Sequence, residues 1–199
     1  MIGIVDYGMG NLQSVRKAFE RVGYPARVVS TAREIAASHK VVLPGVGAFG
    51  QAMSILTQRG LRTPLLDAAA AGKPLLGICL GLQLLFERSE EHGHHEGLGL
   101  LRGDVHRLPD TVKVPHIGWN QVEILRSGRL LAGIPDQAHF YFVQSYYVRP
   151  ADEQRVVGRT DYGLPFASAI EEGDVFGVQF HPEKSRDAGL RLLANFGRL

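Results

Sequence analysis

The chain has a single cysteine, Cys79, set in Gly77-Ile78-Cys79-Leu80-Gly81. A lone cysteine is usually a small buried hydrophobe. Here its flanks argue for more, because the apolar run PLLGI leads into it and the helical pattern LGLQLLFER leads away from it, as at a nucleophile elbow. So tight a strand-to-helix turn needs glycine on both sides, where a Cβ would collide with neighbouring elements. The sulfur would then stand at the carboxyl edge of a sheet. The N–H groups and positive dipole end of the following helix would favour a thiolate there, and the Leu80 N–H would be free to meet an oxyanion.

A thiolate nucleophile needs a base. Of eight histidines, His181 closes the apolar stretch VFGVQF and is held extended by Pro182 behind it. Side chains two apart on extended backbone share a face, which would put Glu183 beside His181. A carboxylate in that place can hold one ring nitrogen and leave the other facing the sulfur, giving nucleophile, base and orienter. His-Pro-Glu carries little by itself; joined to the elbow it completes a triad.

The elements that must position these groups follow from the apolar pattern. IGIV, ARVV, KVVL and PLLGI read as strands. They are separated by a helix with Leu12, Val15, Phe19 and Val22 on one face, one over residues 49–58, and one opening at Thr63 as N-cap with Pro64 in its first turn. Strands apolar throughout and alternating with helices indicate a doubly wound α/β fold with a mostly parallel sheet. Beyond Gly93 the runs DVHRL, KVPHIGWNQVEIL, HFYFVQSYYV, RVVGRT, FASAIEEG and VFGVQFH suggest antiparallel additions, and DAGLRLLANFGRL an amphipathic closing helix. No linker separates the halves, so residues 1–199 read as one domain.

Composition narrows the function. With 199 residues, 45% of them hydrophobic, the chain can bury a sizeable core. Its net charge of +2 comes without any dense Lys/Arg cluster, which argues against nucleic acid. No run of about 18 apolar residues offers a membrane span, and the N-terminus has no signal-peptide pattern, so a cytoplasmic protein is expected. His92, His94 and His95 with Glu90, Glu91 and Glu96 look like a metal tract in composition, yet they fall where a solvated loop is expected; no metal is assigned. Gly8-Met9-Gly10 lacks the third glycine of a dinucleotide loop, the position being Gln13.

Six segments together resemble the class I glutamine amidotransferases, and within them the glutaminase subunits of imidazole glycerol phosphate synthases: IVDYGMGNL, LPGVGAFG, GICLGLQLLFE, VPHIGWN, YFVQSYYV and GVQFHPEKS. The resemblance implies glutamine hydrolysis by Cys79, His181 and Glu183, with no cofactor. It implies oxyanion contacts from Gly45, Val46 and Gly47 beside Leu80, and a glutamine pocket that includes Gln83. It further implies a heterodimer with a (β/α)8-barrel cyclase subunit that takes the ammonia for histidine synthesis, docked against Asn11, Trp119, Asn120, Tyr141 and Lys184. Gln144 stands where this family usually has histidine. Rival readings are an amidotransferase subunit serving pyridoxal phosphate, anthranilate or aminodeoxychorismate synthesis, and a non-enzymatic flavodoxin-like module with a structural Cys79.

Overall fold

The computed structural model describes residues 1–199. The first half runs β1 (Ile2–Val5), α1 (Leu12–Arg21), β2 (Ala26–Val29), α2 (Ala32–Ala37), β3 (Lys40–Gly45), α3 (Phe49–Gln58), α4 (Arg62–Ala70), β4 (Leu75–Cys79) and α5 (Leu80–Leu84). The second half adds β5 (Phe86–Ser89), β6 (His95–Glu96), β7 (Leu101–Arg107), β8 (His116–Ile124), β9 (Ala138–Gln144), β10 (Tyr146–Pro150), β11 (Val156–Asp161), β12 (Pro165–Glu172), β13 (Val175–Val178) and α6 (Arg186–Arg198).

Strands β2-β1-β3-β4-β13 lie side by side and parallel, and the antiparallel β12 and β10 extend them toward β7, β5 and β6. A branch leaves β12 through β11 to β8 and β9. All five β4 residues are buried, as a strand covered on both faces must be. Alternate residues divide between two cores. Leu43 and Leu75 pack with Phe49, Leu56 and Leu65 of α3 and α4, whereas Val42, Leu76 and Ile78 pack with Phe19 of α1 and Phe196 of α6.

Two helix readings need correction. Helix α4 opens at Arg62 with Leu61 as its cap residue, so Thr63 lies inside it; Pro64 still falls in the first turn, where its missing N–H has no intrahelical partner to lose. Helix α5 stops at Leu84, and Phe86 begins β5 instead of prolonging the helix. All five α5 residues are buried, and a segment buried on every side gives no periodic mark of its end.

Candidate active site

At the end of β4 the Cys79 backbone takes φ 56° and ψ −111°. An L-residue occupies that region only when its surroundings impose it. Two glycines allow the imposition: a Cβ on Gly77 would stand 2.6 Å from the Gly81 carbonyl oxygen, and one on Gly81 would run into the Leu43 carbonyl of β3. Leu80 begins α5 directly, so its N–H is among those that a helix cannot pair internally. The sulfur of Cys79 lies 3.6 Å from the Val143 carbonyl oxygen and 3.9 Å from Gln179 Nε2.

Strand β13 ends at Val178, three residues before His181, and the His181 N–H donates to the Tyr141 carbonyl at 2.9 Å. Glu183 reaches His181 by a different route from the extended backbone expected. Residues Pro182–Lys184 wind into a single 3-10 turn, closed by the Lys184 N–H on the His181 carbonyl at 3.0 Å, because proline's fixed φ suits a first helical position as well as a strand. Nδ1 of His181 then lies 2.9 Å from Glu183 Oε1, with the side chains 5% and 1% exposed. Burial disfavours an imidazolium here, but hydrogen bonds and charge from Cys79 and Glu183 outweigh it and hold the His181 pKa at about 10.

Cys79 and His181 open on a pocket of about 250 Å³, large enough for a small metabolite. The strand order β3-β4-β13 sets its walls on opposite sides of Cys79. On the β3 side, Gly45 pairs in register with Cys79, and a Cβ on it would stand 2.5 Å from the Tyr7 hydroxyl. Val46 is exposed, and Gly47 takes φ 96° with the Met9 methyl packed close to it. Burial, with a contribution from Cys79, pushes the Tyr7 hydroxyl pKa upward. On the β13 side stand His181 and the end of β9. Gln83 lines the pocket and donates to the Tyr146 carbonyl at 3.1 Å and to Gln179 Oε1 at 3.2 Å.

Five lining residues were not expected at the site: Glu91, Pro115, Val143, Ser145 and Tyr146. Glu91 is the only carboxylate on the pocket wall, and its Oε2 accepts the Phe49 N–H at 2.6 Å. It lies in the His/Glu-rich stretch taken for a solvated loop. The missed signal was α3, which begins after Ala48 with no side-chain cap of its own and therefore takes an acid from elsewhere. The same stretch contains β6, and the His95 ring sits against Gly50 of α3. No three His, Cys, Asp or Glu side chains converge on a metal-sized position.

Of the residues expected at a partner surface, Trp119 and Tyr141 face each other across β8 and β9, rings edge to face at 5.9 Å. Lys184 Nζ sits 5.9 Å above the Tyr141 ring, and Arg186, unremarked in the sequence, lies 5.2 Å above Trp119. Trp119 is 44% exposed and its neighbour Ile117 60%, so both leave apolar surface in water. Asn120 Nδ2 is engaged inside the chain, donating to the Asp161 carbonyl at 2.9 Å. Asn11 is exposed at the start of α1 and makes no cap hydrogen bond.

The family model for class-I glutamine amidotransferases matches residues 3–198. The imidazole glycerol phosphate synthase subunit HisH of Moorella thermoacetica is 58% identical over 198 residues, covering 100% of this chain and 94% of that protein. HisH of Aquifex aeolicus is 54% identical over 98% of this chain and 95% of its own length. Among solved structures, one described as a glutamine amidotransferase superposes with a TM-score of 0.79 at 20% identity, covering 100% of this chain and 99% of that one. PurLQS from Thermotoga maritima gives 0.78 at 18% identity, covering 98% and 96%. The structural likenesses show a shared fold, and the full-length identities go further: the chain belongs to the class-I glutamine amidotransferases, among the HisH subunits of imidazole glycerol phosphate synthase.

Proposed function

We propose that this chain hydrolyses glutamine through Cys79, His181 and Glu183 and passes the ammonia to a cyclase partner that forms imidazole glycerol phosphate in histidine synthesis. The observation that carries the reading is the strained Cys79 next to a buried His181–Glu183 pair, both opening on a pocket of metabolite size. The Cys79 thiolate attacks the carboxamide carbon, and the oxyanion is met by the Leu80 N–H and a second N–H from Gly45, Val46 and Gly47. His181, protonated at neutral pH, gives its proton to the departing nitrogen. Water, deprotonated by the same ring, cleaves the glutamyl thioester and frees glutamate and Cys79. Glu183 holds the ring in register throughout. Gln83 orders the pocket backbone at Tyr146, and Glu91 offers a counter-charge to the substrate ammonium.

The partner is a (β/α)8-barrel cyclase seated on the face of Trp119, Tyr141 and Lys184, with Asn11 and Asn120 at its margin. An exposed Trp119 and a half-buried Tyr141, flanked by cations, suit a contact centre with acidic groups opposite. The test is Cys79→Ala in the reconstituted complex. Glutamine-dependent synthesis should vanish while synthesis from added ammonium salt persists; retention of glutamine use would remove Cys79 from its role.

A further inference from the structure

Gln144 is 5% exposed, lines the pocket with Cys79 and His181, and has no hydrogen-bond partner for either Oε1 or Nε2. A buried polar group left unpaired costs about 1–3 kcal/mol. Packing alone gives no reason for an amide here, since the side chains preceding it on the same face of β9 are the rings of Phe140 and Phe142.

Its place decides what it can meet. The His181 N–H on the Tyr141 carbonyl ties β9 to the β13 side of Cys79, opposite the loop at residues 45–47. In an adduct on Cys79 the oxygen faces that loop and Leu80, and the nitrogen faces His181. Gln144 stands on the nitrogen side.

Its orientation is set from behind. His116 opposes Gln144 in the β8–β9 register, with its ring stacked on Tyr162 at 3.9 Å and on Phe142 at 5.0 Å. Burial lowers the His116 pKa, only partly countered by the Gln144 amide, so the ring is neutral at neutral pH. Asn120 Nδ2, already a donor to Asp161, lies 3.4 Å from His116 Nε2. Nε2 is therefore the accepting nitrogen and Nδ1 carries the proton. That Nδ1–H has no partner of its own and belongs to the residue opposite the unpaired amide. A turn of the neighbouring amide would bring Gln144 Oε1 onto it, whereas the flipped amide would set N–H against N–H.

We propose, resting on the triad reading above, that Gln144 is a specificity-determining residue. Its side-chain carbonyl, oriented by His116, accepts an N–H of the bound carboxamide and so separates glutamine from acids and esters, which offer only oxygen there. One lone pair of Oε1 serves His116 and the other serves the substrate.

The test compares glutamine with glutamic acid γ-methyl ester, whose leaving group has no N–H, as substrates of the full chain in complex with its cyclase. In Gln144→Leu, kcat/KM for glutamine should fall about tenfold or more, the effect of one lost hydrogen bond. The ester's value should move less than about threefold. His116→Phe, which keeps the aromatic stack and frees the amide, should lower the glutamine-to-ester ratio in the same direction. Gln144→Met is the near-isosteric alternative if the leucine variant does not fold. Equal losses on both substrates, or no loss on glutamine, would overturn the proposal. Ester cleavage by Cys79→Ala would instead overturn the triad reading, so the two failures are distinguishable.

Discussion

The parallel and antiparallel halves of the sheet solve different problems. In β3 and β4 nearly every residue is buried, and the two faces feed separate cores. In β8 and β9 burial alternates, with Ile117 and Trp119 left in water while Phe140 and Phe142 point inward. The first arrangement fixes a backbone, because a strand packed on both sides cannot shift without disturbing two cores. The second leaves a face free for recognition. The lesson is that Cys79, the proposed nucleophile, belongs to the half without slack, and Gln144 and Trp119, proposed to meet substrate and partner, to the half with an open side.

The sharpest way to break this contrast is to add one methyl group to each half. Gly81→Ala pushes a Cβ into the Leu43 carbonyl, backbone against backbone, and should cost about 3 kcal/mol or more, or prevent folding. Gly118→Ala on β8 meets no atom within 4 Å and carries only the strain of its φ of 137°, about 1–3 kcal/mol. Urea unfolding of both variants measures the difference; equal losses would mean that the parallel half has slack after all.

A smaller effect concerns charge at the seam between the halves. His181 has its pKa raised from 6.5 to about 10, so its stabilising contribution is whole below pH 6.5 and is lost as pH rises through about 10. Among the forces raising it, the hydrogen bond that the protonated ring donates to the Cys79 sulfur comes first. In Cys79→Ala, NMR titration of the His181 ring should therefore find its midpoint lowered, and an unmoved midpoint would assign the whole shift to Glu183. Smallest in stability is Trp119→Ala, expected at about 1 kcal/mol for the lost edge-to-face contact with Tyr141, since the ring is already 44% exposed. Its effect should appear instead in the ratio of product formed to glutamate released, which an uninvolved residue would leave unchanged.

The two halves were also unequally legible. Uninterrupted apolar runs mark β1 to β4, and the glycines at 77 and 81 mark the elbow because no other residue fits there. The end of α5 was hidden by its even burial, and the path from His181 to Glu183 by a proline equally at home in a strand or a 3-10 turn. Glu91 and His116 were beyond single-segment reasoning, since each acquires its meaning from a distant element: α3 for one, the opposing strand β9 for the other.

The position of β13 has a consequence for synthesis on the ribosome. It pairs with β4, Val178 beside Ile78, although about a hundred residues separate them in the chain. Loop closure over that distance makes this pairing a late event in folding. A nascent chain therefore exposes Cys79 before the histidine proposed as its base, and His181 reaches the sulfur only after every other strand has emerged. With the proposed triad, order of emergence alone keeps the unfinished polypeptide from hydrolysing glutamine.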